Sequence, residues 1–339
     1  MKFLKKSCKT DKKLTAAFYF AAVLCVAGAL LSLRLGAVPL TMAQLQEAIL
    51  SGPNSTTGYI FWYSRLPRTC ACLLSGAALA CAGCILQSVL GNKLASPNII
   101  GVNAGAGLAV TLCCAAGALS GWTIALSAFG GALLAVFAVV GLTGRIGASR
   151  TTVILSGVAI NSILGAFRDA ISLLIPDAAV LSGEFRIGGF SSVVSTRLIP
   201  AGALILVSLL IVLTLSNELD LIALGEETAR SLGMSVKAMR TVFLLLAALL
   251  SGAAVSFSGL LGFVGLVVPH MARKFTRGES RYQFPLCILL GAGFVTVCDL
   301  FSRILFAPYE LPVGILMALI GGPFFLFLLL ERKGDHRSA

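Results

Sequence analysis

The stretch Arg65–Gly107, RLPRTCACLLSGAALACAGCILQSVLGNKLASPNIIGVNAGAG, decides the fold of this chain. Its Arg-Leu-Pro-Arg opening leads into an apolar run that is too long for an ordinary core helix. The run ends in the small polar turn Gly91-Asn92-Lys93, and a second run, rich in Gly and Ala, begins at Pro97. A bilayer core needs about 20 apolar residues per spanning helix. The stretch therefore predicts one membrane crossing followed by a return.

The composition of the whole chain agrees with a membrane protein. Of the 339 residues, 58% are hydrophobic and 12% are charged, and the mean hydropathy is +0.96. A soluble domain of this size needs far more polar surface. The apolar segments are long rather than alternating, which favours helices over a barrel. The net charge of +12 does not indicate a nucleic-acid partner, because the basic residues lie between apolar segments.

These segments predict an all-α polytopic protein with about ten transmembrane helices. The predicted spans are 14–34, 67–90, 97–117, 121–142, 151–175, 198–216, 240–259, 261–276, 282–306 and 310–331. A basic cytoplasmic N-terminus (1–13) precedes the transmembrane domain (14–331), and a cytoplasmic tail (332–339) follows it. Most of the 26 Lys and Arg residues fall on the side of the N-terminus, which places both termini in the cytoplasm.

The sequence also contains an internal repeat. LLSGAA occurs at Leu73–Ala78 and again at Leu249–Ala254, and an Arg-Thr pair precedes each copy. In each copy a second Gly follows the first by seven positions. The two copies cross the membrane in opposite directions, which is the inverted repeat of many transporters. The alternative is a chance likeness between two small-residue helix interfaces.

Three stretches together resemble one family. They are Arg65–Gly107, the loop LDLIALGEETARSLGMSVKAMR (219–240) with the following SGAAVSFSGLLGFVGLVVPHMAR, and DLFSRILFAPYELPVGILMALIGGPFFLFLLL (299–330). They resemble the FecCD family of ABC-transporter permeases, which import ferric siderophores, haem and vitamin B12. The resemblance implies a fold like that of the vitamin B12 permease. One departure is Lys93, since the family has Asn-Pro-Leu-Ala where this chain has Asn-Lys-Leu-Ala.

The resemblance implies a set of partners and a location. They are a second copy of the chain or a homologous permease, two cytoplasmic ATP-binding subunits, an extracellular substrate-binding protein and membrane lipid, in the bacterial plasma membrane. The substrate would be an iron chelate, haem or cobalamin, and the chain would need no cofactor or metal and no nucleic acid. The sequence contains no G-x-x-x-x-G-K-[ST] phosphate loop. We therefore expect a permease without catalytic residues whose ATPase is a separate chain; an ion- or proton-coupled secondary transporter is the alternative.

Three arginines lie at predicted outer ends of spans. Arg65 and Arg68 share one face of a helix start, and Arg303 lies near the outer end of the ninth span. The resemblance implies that they receive carboxylates of the binding protein, for which the planar guanidinium is suited. The alternative is anchoring to lipid headgroups. Asp299 and Arg303 are four residues apart and can pair.

The loop 219–240 is polar with a helical pattern. Its apolar side would comprise Leu224, Ala229, Leu232 and Met234, while Glu226 would face water. The helix could lie on the membrane, but the resemblance implies that it seats in a groove of the ATPase subunit. The predicted coupling residues are Leu224, Gly225, Glu226, Ala229, Leu232 and Gly233.

The resemblance also places an inner gate at two turns. One follows the second span, at Asn92 and Leu94, and the other precedes the fifth span, at Ala148 and Ser149. Farther along the fifth span, Arg168 and Asp169 are adjacent, so their side chains leave the helix in different directions and need not pair.

Overall fold

The computed structural model of the protein describes residues 2–36, 39–146, 149–276, 278–307 and 309–335. Within these ranges every regular element is helical. Ten principal helices occupy the ten predicted spans: α1 Lys2–Arg34, α2 Leu66–Val89, α3 Val102–Ala115, α4 Gly121–Ile146, α5 Arg150–Leu174, α6 Ser195–Thr214, α7 Val236–Ser258, α8 Val264–Thr276, α9 Ser280–Ile304 and α10 Val313–Asp335. Of the predicted features, Ala148 and residues 336–339 of the tail lie outside the described ranges.

Seven of these helices are long and apolar enough to cross a membrane, namely α1, α2, α4, α5, α6, α7 and α9. The helices α3 and α10 add two shorter apolar segments. The predicted all-α polytopic membrane fold is therefore confirmed.

Shorter helices connect the principal ones. They are Met42–Leu50, Gly52–Asn54, Thr56–Tyr59, Ile60–Arg65, Pro97–Ile100, Pro176–Leu181, Gly183–Ile187, Ser216–Ala223 and Glu226–Ser231. Ile60–Arg65 is a π-helical turn that runs directly into α2. Its last residue, Arg65, is buried.

The centre of the molecule is α2, whose side chains are almost all buried. It packs most extensively against α9 and α7. A Cβ atom on Gly76 would lie 2.2 Å from the carbonyl oxygen of Gly291, and one on Gly83 would lie 1.9 Å from that of Gly265. Small residues permit such backbone approach in lipid, where there is little hydrophobic drive between helices. The Gly/Ala-rich composition of α2 thus makes it the axis of the fold.

One pair of helix contacts agrees with the predicted inverted repeat. The helix α7 packs against α4 much as α2 packs against α9. Correspondingly, α3 and α8 are both short, with 14 and 13 residues. A non-α stretch precedes each of them: the 3₁₀ turn Pro97–Ile100 before α3, and residues 259–263 before α8. At about 1.5 Å per residue each helix is only ~20 Å long, so the third and eighth predicted spans are shorter helices than expected.

The outer layer of the bundle contains α1, which packs on α9, and α5, which is among the most exposed helices. Several large apolar side chains of α5 are more than half exposed in the described structure: Leu155, Val158, Ile163, Phe167, Leu173 and Leu174. A face of α5 is therefore open to lipid, to a central path or to another subunit.

Candidate functional site

Residues 216–235, here called the coupling segment, form two short helices joined by glycine turns. Ser216–Ala223 is followed by Gly225 with φ +120°, and Glu226–Ser231 is followed by Gly233 with φ +83°. Both conformations are unfavourable for residues that carry a Cβ. The two predicted glycines therefore set the angles at which the second short helix leaves the first and enters α7.

The coupling segment is fixed to the bundle by apolar and polar contacts. Leu219 and Ile222 are fully buried. The carboxylate of Asp220 accepts a hydrogen bond of 2.9 Å from the backbone N–H of Ser280 at the start of α9. A carboxylate at a helix N-terminus is also favoured by the helix dipole. The first short helix is thus held against the end of α9.

The second short helix is held by Glu226. Its carboxylate accepts a hydrogen bond from the buried guanidinium of Arg240 in α7, and it lies 3.5 Å from Arg230. The hydrogen bond from Arg240 lowers the pKa of Glu226, and the nearby arginine charges act in the same direction. Glu226 therefore anchors the second short helix to α7, while its side chain remains one-third exposed to solvent (33%).

The apolar side of the coupling segment is smaller than predicted. Leu224 and Leu232 are 67% and 63% exposed. Ala229, in contrast, is fully buried, and Met234 packs partly buried against the core. Ala229 and Met234 attach the short helix to the protein, so two leucines remain as the exposed apolar contacts.

The predicted gate residues lie at two turns. Gly91 ends α2 with φ +59°, and the side-chain oxygen of Asn92 accepts a hydrogen bond of 3.0 Å from the N–H of Leu94. Ser149 caps α5 by accepting a hydrogen bond of 3.1 Å from the N–H of Thr152. Both turns are therefore shaped by local side-chain hydrogen bonds.

Arg150 follows Ser149 directly, and its side chain reaches the turn after α2. In the sequence this arginine served only to predict the orientation of the chain in the membrane. Its Nη1 lies 2.6 Å from the position that a Cβ on Gly91 would take, so it is packed on the turn after α2. Its Nη2 donates a hydrogen bond of 2.8 Å to the carbonyl oxygen of Ile222 in the coupling segment. The feature of the sequence that could have indicated a role for Arg150 is its position directly after the capping Ser149, at the start of a span.

The outer arginines surround one buried carboxylate. Asp299 is fully buried. Arg68 donates to it at 3.0 Å, and Arg303 lies 3.1 Å from its second oxygen, which confirms the pairing of Asp299 with Arg303. Arg68 also donates to Glu310 at 2.7 Å, while Arg65 is buried and donates at 3.3 Å to the carbonyl oxygen of Leu33. These five side chains are here called the outer arginine cluster: Arg65, Arg68, Asp299, Arg303 and Glu310.

The three predicted docking arginines differ in their exposure to solvent. Arg65 and Arg303 are 5% and 3% exposed, whereas the side chain of Arg68 retains 12% exposure beside the exposed Glu310. Near the C-terminal end of α5, Arg168 and Asp169 pair at 2.8 Å. The two neighbours therefore do pair, although their adjacency in the sequence did not require it; the Arg168 side chain is 22% exposed and that of Asp169 63% exposed.

A model of the FecCD transport family matches residues 24–331 of this chain. The chain belongs to the FecCD transport family. It is 34% identical over 335 residues to the iron(3+)-hydroxamate import system permease protein FhuB of Bacillus subtilis, with 96% of this chain and 86% of that one covered. It is 35% identical over 291 residues to the vitamin B12 import system permease protein BtuC of Klebsiella pneumoniae, with 83% and 85% covered.

The fold of this FecCD permease is also that of a solved transporter. An inward-facing structure described as a metal-chelate type ABC transporter superposes with a TM-score of 0.82 at 28% identity, and covers 93% of this chain and 98% of the other. Together with the apolar helices, these matches make the FecCD permease an integral membrane transport subunit. Nothing in them supports the alternative of an ion- or proton-coupled secondary transporter.

Proposed function

We propose that this chain is the membrane-spanning permease of a binding-protein-dependent ABC importer that moves a ferric siderophore, or haem or cobalamin, into the cytoplasm. ATP hydrolysis on a separate subunit would drive the transport. The observation that carries this proposal is the coupling segment, which presents two exposed leucines on short helices anchored to α7 and α9. Because the segment is anchored to these two helices, a displacement imposed on it by the ATPase subunit would be passed on to the helix bundle.

The central path would form between two copies of the permease. The open face of α5 carries large apolar side chains and the exposed carboxylate of Asp169, which pairs with the less exposed Arg168. Charged groups within a span avoid lipid and line polar paths or interfaces. A two-fold pair of such faces would enclose the path, with the turns at Asn92 and Ser149 closing its inner end. Both termini would then lie in the cytoplasm.

The binding protein would dock at the outer arginine cluster. Arg68 supports this role, because it combines a partly exposed guanidinium with rigid placement by Asp299. Arg65 and Arg303 lie below it and would act by holding Arg68 in place and by adding positive charge. An acidic side chain of the binding protein would compete with Glu310 for the Nη1 of Arg68.

We expect the substitutions Leu224→Glu and Leu232→Glu to prevent assembly with the ATPase subunit. Each buried leucine contributes about 1.5–3 kcal/mol, so each single change should weaken association by roughly tenfold or more. Both side chains are exposed, and the thermal midpoint of the isolated permease should not change. Binding is measured by co-purification and by titration of the ATPase subunit.

The matched control for these two leucines is Thr228→Glu, an exposed position between them on the second short helix. It introduces the same charge without removing an apolar contact. If Thr228→Glu weakens binding as much as Leu224→Glu does, then charge repulsion explains the effect. Unchanged affinity in both leucine variants would contradict the proposed seating of the coupling segment.

A further inference from the structure

Arg150 is the first residue of α5, yet its guanidinium contacts two other parts of the chain. On one side, Nη2 donates to the carbonyl oxygen of Ile222, next to the last residue of the first short helix. Carbonyl groups at a helix C-terminus lack partners within the helix and carry partial negative charge. A cation placed there is held by charge as well as by the hydrogen bond.

On the other side, the guanidinium packs on the turn that ends α2. Gly91 adopts φ +59°, and a Cβ added to it would meet Arg150 Nη1 at 2.6 Å. Glycine is favoured at this turn by its backbone conformation, and the guanidinium of Arg150 lies directly against it. The next residue is Asn92, so the guanidinium lies directly beside one proposed gate turn and, through Ser149, adjoins the other.

This contact gives α5 its connection to the coupling segment. The first short helix packs against α2, α7 and α9, and its polar anchor Asp220 leads to α9. The second short helix is held through Glu226 by α7. The Arg150 side chain reaches from α5 to this segment across the end of α2.

The guanidinium also has an unused donor. Among the described residues, Nε of Arg150 is buried and has no hydrogen-bond partner. An unsatisfied buried N–H is unfavourable. An acceptor brought within reach of Nε by a shift of the coupling segment would therefore favour the shifted arrangement.

We propose that Arg150 transmits displacement of the coupling segment to both gate turns, and so acts as the positioning residue that links ATPase movement to the gate. This inference rests on the proposed function of an ATP-driven permease. Motion of Ile222 would pull the guanidinium, which would shift the start of α5 at Ser149 and the turn at Asn92 together.

The test is hydrogen exchange measured by mass spectrometry on the permease dimer, with and without its ATP-bound ATPase subunits. In the permease alone, Arg150→Ala should speed amide exchange in residues 216–223 about tenfold or more, as expected for loss of a charge-assisted hydrogen bond. With the ATPase subunits, residues 216–235 should respond in both proteins, but residues 91–95 should respond only in the unmodified chain. Arg150→Lys, which keeps the charge, should restore part of this response.

Arg145→Ala is the control, since Arg145 is exposed near the end of α4 and should behave as the unmodified chain. If Arg150→Ala does not fold, Arg150→Gln replaces it in the same measurement. An equal response of residues 91–95 in the unmodified chain and the variant would overturn the role of Arg150. If residues 216–235 of the unmodified chain do not respond to the ATPase subunits, the proposed function itself fails, which is a distinguishable result.

Discussion

Replacing Asp299 with alanine will sharply reduce the amount of folded permease. Asp299 is fully buried and serves as counter-ion to both Arg68 and Arg303. Removing one partner from a buried ion pair typically costs about 3–5 kcal/mol, because the remaining charge is left without compensation. Here Arg303 loses its counter-ion, and Arg68 keeps only the more exposed carboxylate of Glu310. The measurement is the yield of monodisperse protein in detergent and its thermal midpoint.

Glu310→Ala is the matched control for Asp299→Ala. Glu310 pairs with the same Arg68, but its side chain is 33% exposed, and exposed ion pairs contribute about 0–1 kcal/mol. The thermal midpoint should therefore change little. If Asp299→Ala and Glu310→Ala have equally small effects, Asp299 is not the structural centre of the outer arginine cluster.

The docking proposal is tested on Arg68 rather than on the buried arginines. Arg68→Lys keeps the positive charge but loses the planar fork that now contacts Asp299 and Glu310. We expect weaker association with the binding protein and stronger dependence on salt, measured alongside the thermal midpoint. Unchanged affinity in a folded variant would favour the lipid-headgroup role for this arginine.

Replacing Gly83 with valine will prevent the central helices from packing. Even a Cβ at this position would lie 1.9 Å from the carbonyl oxygen of Gly265. Overpacking of an ordinary core costs about 1–3 kcal/mol, and here the obstacle is backbone that cannot change rotamer. Because α2 is the axis of the bundle, we expect loss of folded protein for Gly83→Val and a lowered thermal midpoint for Gly83→Ala.

Gly130→Ala in α4 is the control, because a Cβ there meets nothing within 4 Å. Alanine is favoured over glycine in a helix by up to ~1 kcal/mol, so this variant should be neutral or slightly stabilised. A Gly83→Ala variant with the thermal midpoint of the unmodified chain would contradict the close approach of α2 and α8.

Much of the fold is predictable because lipid imposes simple requirements. Each span needs a long apolar run, and polar turns such as Gly91-Asn92-Lys93 separate the runs. The lengths of α3 and α8 were not predictable to the same degree. Hydropathy continues across Pro97–Ile100 and residues 259–263, while the backbone there is not α-helical. An apolar composition alone does not reveal where the backbone leaves the α-helical conformation.

The site was predictable where its contacts are local. The pairing of Asp299 with Arg303 follows from their spacing of four residues. Arg68 and Asp299 are 231 positions apart, and only the packing of α2 on α9 brings them together. The contact of Arg150 with Ile222 is likewise set by tertiary structure, and so is the burial of Ala229 within the coupling segment.

The most direct test of the central claim is uptake by the complete transporter in proteoliposomes. The permease dimer, its ATPase subunits and the binding protein are reconstituted together, and iron chelates, haem and cobalamin are compared as labelled substrates. We predict uptake of at least one of them that requires ATP, the ATPase subunits and the binding protein. Uptake by the purified permease alone, driven by an ion or proton gradient, would contradict the account.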